Sequence, residues 1–121
     1  VALEEKRSGA GKGRRTVPRV KAEKLPQGLR EFRLVFDHGT YQGTTIDASL
    51  TGISFRVQVP ANRIREFLVQ LVSADGTVDM TQEIVYIKPL DNEYSRISLM
   101  FDEQSTPEAY RRQLRRALRQ R

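Results

Sequence analysis

Asp47-Ala48-Ser49-Leu50-Thr51-Gly52-Ile53-Ser54-Phe55-Arg56-Val57-Gln58-Val59-Pro60 holds a turn and the strand that leaves it. Ile53, Phe55, Val57 and Val59 alternate with Ser54, Arg56 and Gln58, the period of two expected of a strand buried on one face. Pro60 has no N–H to give a ladder and ends the run. Upstream, Phe32, Leu34 and Phe36 fall on one face, Asp37-His38-Gly39 reads as a turn, and Tyr41 to Asp47 resumes the extended pattern, which makes a hairpin. Downstream, Ile64, Phe67 and Leu68 fit a helical turn while Phe67, Val69 and Leu71 fit a strand. A loop followed by a strand is the reading favoured there. Asp75-Gly76, the strongest turn dipeptide in the chain, separates that strand from Val78 to Met80. Ile84 to Lys88 and Tyr94 to Phe101 are two further strands, split by Pro89 and Asp91-Asn92. Six or so short antiparallel strands at regular spacing predict a small barrel, because closing the sheet removes its exposed edges.

The last segment follows a different period. Ser105 and Glu108 have capping-box spacing, Thr106 reads as the N-cap and Pro107 suits the first helical position. Tyr110, Leu114, Ala117 and Leu118 form one apolar stripe, and Arg111, Arg112, Arg115, Arg116, Arg119 and Arg121 cover the rest. The stripe is expected to pack on the barrel, with the arginines facing water. The fold class is therefore all-β with one C-terminal α-helix, a small six-stranded antiparallel β-barrel. The chain divides into a basic arm over 1–21, a barrel over 22–104 and a helix over 105–121.

The 121 residues suffice for one core and not for two. With no Cys, disulfides and Cys-based zinc sites are excluded, and a reducing, cytoplasmic setting is the expectation. The longest apolar runs, such as Leu34-Val35-Phe36, are far short of the roughly 20 residues needed to span a bilayer. The chain opens on Val without a leader pattern, as a piece of a longer polypeptide would. Its net charge of +6 is concentrated at the ends: residues 1–21 hold seven Lys and Arg against Glu4 and Glu5, and residues 107–121 hold six Arg against Glu108. A DNA reader spreads its cations over a folded face, so DNA is not the expected partner. Gly9, Gly11 and Gly13 among Lys and Arg predict an arm that is mobile without a ligand.

Enzyme chemistry finds no support. Gly9-Ala10-Gly11-Lys12-Gly13 has the wrong spacing for a phosphate loop and no Ser or Thr after Lys12. His38, the single His, sits in a turn with no second His to share a metal and no Cys to activate. Asp102-Glu103 lies where a strand meets a loop and reads as surface acid. No catalytic residue, metal site or cofactor is expected.

Two patterns remain. Arg15-Thr16-Val17-Pro18-Arg19, with Arg14 before it, places two arginines four residues apart on a segment that Pro18 keeps extended. In a chain with 16 Arg that spacing recurs by chance. Asp47-x-Ser49-x-x-Gly52 is specific, with about 0.02 chance matches expected for this composition. Its bland alternative is a tight turn in which Asp47 and Ser49 bond their own backbone. As a site, the guanidinium forks match paired acceptors such as phosphate oxygens, Asp47 can accept from N–H donors, Ser49 can donate or accept, and Gly52 permits close backbone approach.

Taken in order, the arginine pair, a strand of about ten residues, the Asp-x-Ser-x-x-Gly turn and an alternating strand resemble the PilZ domain, a bacterial receptor for cyclic di-GMP. The resemblance covers about residues 14–118. It implies a six-stranded barrel with a C-terminal helix and a ligand site of Arg14, Arg15, Arg19, Asp47, Ser49 and Gly52. It also implies a binding module that passes a conformational change to an attached domain or protein effector. The residue before the first motif arginine tends to set stoichiometry in such domains, and Arg14 there implies two cyclic di-GMP molecules per chain, an intercalated pair whose four phosphates call for added positive charge. One departure is Ile97-Ser98-Leu99-Met100-Phe101, where many members have Gly in the second position, so that Ser98 narrows the space beside the ligand. The rival readings are an RNA or single-strand-binding barrel, hinted at by Phe55-Arg56, and a ligand-free PilZ-like protein-interaction domain docking through its helix.

Overall fold

A computed structural model describes residues 17–120. Seven strands and one helix follow in order: β1 (Val20–Lys21), β2 (Glu31–Phe36), β3 (Gly39–Ser49), β4 (Gly52–Val57), β5 (Leu68–Ser73), β6 (Asp79–Pro89), β7 (Ser95–Met100) and α1 (Glu108–Arg119). The sheet runs β3-β2-β5-β6-β7-β4 and closes by pairing β4 with β3, every neighbour antiparallel. That is the closed six-stranded barrel with a C-terminal helix. The two-residue β1 takes up the edge of β3 beyond the end of β2, pairing Val20 with Ala48 and Lys21 with Asp47. Val20, within the basic arm by sequence, is thereby buried in the core.

Alternation does what its period requires. Phe32, Leu34, Ile53, Phe55, Leu71, Ile97 and Leu99 point inward and are fully buried, and the rings of Phe32 and Phe55 meet edge to face at 5.2 Å. Phe55, the aromatic neighbour of Arg56, is therefore core and not surface. Single-turn 3₁₀ helices at Ala22–Lys24 and Gln27–Leu29 tuck Leu25 and Leu29 into the same core. Asp37-His38 joins β2 to β3, with Phe36 paired to Gly39. Asp75-Gly76 turns β5 towards β6, Gly76 having a φ of 77° that a side chain would strain. The segment after Pro60 is a short 3₁₀ turn, Ala61–Arg63, and then strand β5, in line with the loop-then-strand reading.

Three local expectations are corrected. Val78 to Met80 and Ile84 to Lys88 are not separate strands; both belong to the 11-residue β6. The apolar pattern broke at Gln82, which faces inward and is buried because its amide donates to the Ser105 carbonyl at 3.2 Å. The helix begins one residue later than its capping signals suggested. Pro107 is extended (φ −68°, ψ 151°) and precedes the first turn, the Thr106 hydroxyl donates back to the Glu103 carbonyl at 2.6 Å, and the Ser105 hydroxyl donates to the Asp102 carbonyl at 2.8 Å. The helix arginines are not all simply solvated, since Arg111 donates to the Thr106 carbonyl and Arg115 pairs with Glu103. The stripe itself stands as read: Tyr110, Leu114 and Ala117 are buried and Leu118 packs beside them.

The two longest strands each serve two partners in turn. β3 pairs through residues 39–44 with β2 and through 43–49 with β4, and β6 pairs through 79–83 with β5 and through 83–89 with β7. Each contains a register shift, between Thr45 and Asp47 in β3 and between Ile84 and Tyr86 in β6. Such bulges bend a strand and sharpen its twist, as barrel corners demand.

Thr45 locks the incoming segment to the barrel: its buried hydroxyl donates to the Leu29 carbonyl at 2.7 Å, and its N–H donates to the Arg30 carbonyl at 2.9 Å. Thr45→Val keeps the shape but removes the hydroxyl donor, and is expected to cost about 1–2 kcal/mol. Urea unfolding checks this, and ligand affinity should be unchanged because the side chain faces the interior.

Candidate functional site

The β3 bulge decides which way Asp47 points. Thr45 pairs with the inward Phe55, yet Asp47 pairs with the outward Ser54, because Ile46 is the extra residue and shifts the alternation by one. The second bulge does the same for Tyr86: Ile84 pairs with the inward Leu99 and Tyr86 with the outward Ser98, Val85 being extra. Since Ser54 pairs with Ser98, the four residues Asp47, Ser54, Ser98 and Tyr86 form one row across the outer wall. The middle of that row is small, and the two hydroxyls meet at 3.0 Å. Ser98 thus points its hydroxyl at Ser54, and the row ends on the half-exposed ring of Tyr86.

At the other end, Asp47 meets Arg19. Arg19 Nη2 and Nε donate to one carboxylate oxygen, Oδ1, at 2.7 and 3.1 Å, while Oδ2 faces Arg96 Nη2 at 4.0 Å. Arg19 is held there because the next residue, Val20, is buried and paired with Ala48. Charge neutralisation of Asp47 by two guanidinium groups leaves lone pairs of Oδ2 for N–H donors of a ligand.

The β3–β4 turn adjoins this pair. Ser49 is buried and spends its hydroxyl locally, accepting from Thr51 N–H at 3.2 Å and donating to the Gly52 carbonyl at 3.4 Å. Half of the bland turn reading therefore describes Ser49, while Asp47 engages Arg19 across 28 residues of chain. Gly52 has a tight steric reason: a Cβ there would stand 2.9 Å from the Leu99 carbonyl oxygen and 3.7 Å from Arg19 Nη1. The structure brings together Arg19, Asp47, Ser49 and Gly52; Arg14 and Arg15 lie outside the described residues. Sequence reasoning missed Arg96 and Tyr86, which only strand register brings to this wall, and missed the part played by Tyr110. The Tyr110 hydroxyl donates to the Ser49 carbonyl at 2.6 Å, tying α1 to the turn. Burial pushes the Tyr110 pKa well above its ordinary value.

Among the described residues no group of three or more His, Asp or Glu is placed to hold a metal, and no helix is long and apolar enough to cross a membrane. The whole is a small closed barrel with a polar corner of two arginines around one carboxylate on its outer wall. The PilZ domain matches residues 14–120, and the chain belongs to the PilZ family. That family is known as a cyclic di-GMP-binding module and not as a group of enzymes. No curated protein matches the chain.

Tyr110→Phe removes the bond to Ser49 and is expected to lower stability by about 1 kcal/mol at neutral pH. In the unfolded chain the phenol ionises near pH 10, roughly its ordinary value, while the folded protein holds the proton to higher pH. The stability it contributes is therefore complete below about pH 10 and lost as pH rises through the folded value. Denaturant titrations at pH 7 and above pH 10 should show the gap between the natural chain and the variant narrowing in alkali.

Proposed function

We propose that this chain is a cyclic di-GMP receptor that works in the cytoplasm as a binding module. The observation that carries the reading is the Arg19–Asp47 pair, set beside the Gly52 turn on the outer wall of the barrel. Guanine offers O6 and N7 to a guanidinium fork and N1–H with its exocyclic amine to a carboxylate, so one arginine beside one aspartate addresses both edges of the same base. In this reading Arg14 and Arg15 supply further forks to base or phosphate. Ser49 acts by shaping the turn, and Gly52 acts by letting the start of β4 lie close against the Leu99 carbonyl of β7. Two ligand molecules bind per chain, Arg14 stabilising the second. Ordering of the N-terminal segment on the barrel is the step that reaches an attached domain or partner. The RNA-binding alternative loses its one sequence hint, since Phe55 is buried and unavailable to stack on a base.

Calorimetry with cyclic di-GMP tests the reading. Arg15→Ala and Arg19→Ala should each abolish or greatly weaken binding, and Asp47→Ala should reduce preference for guanine over adenine dinucleotides. Retained affinity in the double arginine variant would overturn the site.

Stoichiometry is tested separately: the natural chain should bind two molecules and Arg14→Leu should move the ratio towards one. A ratio of one in the natural chain would remove the second molecule from the proposal and leave the receptor reading standing.

A further inference from the structure

One residue pair further along the wall lies a second row. Register sets Arg56 of β4 opposite Arg96 of β7, and Arg96 opposite Lys88 of β6, so three cations stand side by side on adjacent strands. Directly opposed side chains have Cβ atoms about 4.5–5.5 Å apart, and like charges in that arrangement repel. Their compensation is partial: Asp47 is shared between Arg96 and Arg19, and Asp91 acts on Arg56 only through space. Asp47 reaches Arg96 only at 4.0 Å and gives its other oxygen to Arg19. Asp91 accepts from the Glu93 and Tyr94 N–H groups, and on its far side Arg56 is opposed by Thr44. Arg56 is nevertheless held in place, its guanidinium stacked 3.8 Å from the centre of the Tyr94 ring. A row of three cations with one shared carboxylate nearby, one of them fixed on an aromatic ring, beside the proposed site for a nucleotide base, is arranged for an anion.

We infer that Lys88, Arg96 and Arg56 form a phosphodiester seat on the barrel wall, extending the ligand site from the Asp47 corner along β7 to β6. This rests on the proposed function, since it takes the anion to be a phosphate of the cyclic dinucleotide. Two guanidinium forks and one ammonium suit the two non-bridging oxygens of such a phosphate, and the free fold bears the repulsion that the ligand relieves. The seat is built from strands alone and does not involve the N-terminal segment.

The test is calorimetry of the full chain with cyclic di-GMP at several salt concentrations. Lys88→Gln combined with Arg96→Gln is compared with Arg33→Gln combined with Arg63→Gln, which removes equal charge from β2 and the 3₁₀ turn after Pro60. The row variant should lose about tenfold or more in affinity, or drop from two ligands to one, and its binding should depend less on salt. Lost affinity at unchanged ratio assigns the seat to a phosphate of the molecule bound at Asp47; a drop in ratio assigns it to a second molecule. The melting temperature of the free row variant should be no lower than that of the natural chain. Unchanged affinity, ratio and salt dependence in the row variant would overturn the inference, as would an equal loss in the control or a loss accompanied by a lowered melting temperature. In each of those cases the natural chain still binds and the receptor reading survives. Failure of the natural chain to bind overturns both.

Discussion

Closure is the constraint from which the site follows. Six strands can return upon themselves only if some of them bend, and here the bending falls to the two 11-residue strands that leave one partner for another along their length. A bulge in each supplies the bend and, as a geometric by-product, turns the residue after it to the opposite face. Asp47 and Tyr86 face outward for that reason. With unbroken alternation from Thr45, Asp47 would enter a core of Phe32, Phe55 and Leu34, where an ionised carboxylate is expensive to place. The joint that closes the barrel and the joint that turns the Asp47 carboxylate outward are the same residue insertion.

Much of the molecule could be read before its structure, and what could not has a common cause. Strands β2, β4 and β7 are half-buried, so their periodicity is written in consecutive residues. Asp47, Ser49 and Gly52 form a local motif and could be picked out by spacing alone. The bulges at Ile46 and Val85 leave no compositional mark, because an extra residue in a strand looks like any other. Arg96 comes beside Asp47, and Tyr86 comes to the far end of the same row, only through the register of three strand pairs, a long-range property. Gln82 hid the continuity of β6 by putting a polar side chain where an apolar one was expected, with a hydrogen bond to Ser105 in place of apolar contact. At the helix, the small polar residues that resemble caps serve the preceding 3₁₀ turn, Glu103–Ser105, and so misplace the start by one residue.

The site's polar groups divide between structure and recognition. Ser49 and Ser98 spend their hydroxyls within the protein, on the turn and on Ser54, and set the shape of the wall. Arg19, Asp47 and Arg96 are partly exposed and compensate one another, a charge arrangement that a ligand can enter by exchanging partners at modest cost. A hydrogen-bonded turn and a set of partly exposed charges sit side by side on this wall.

The bond from Tyr110 to Ser49 spans 61 residues of chain. A ribosome adding about 5–20 residues per second makes the turn some 3–12 seconds before it makes the tyrosine that secures it. During that interval the Asp47–Gly52 segment is already synthesised but lacks its support from the helix. A chain still being made therefore has the motif in its sequence before it has the helix that ties it down, and the turn gains its bond to Tyr110 only once α1 has been made.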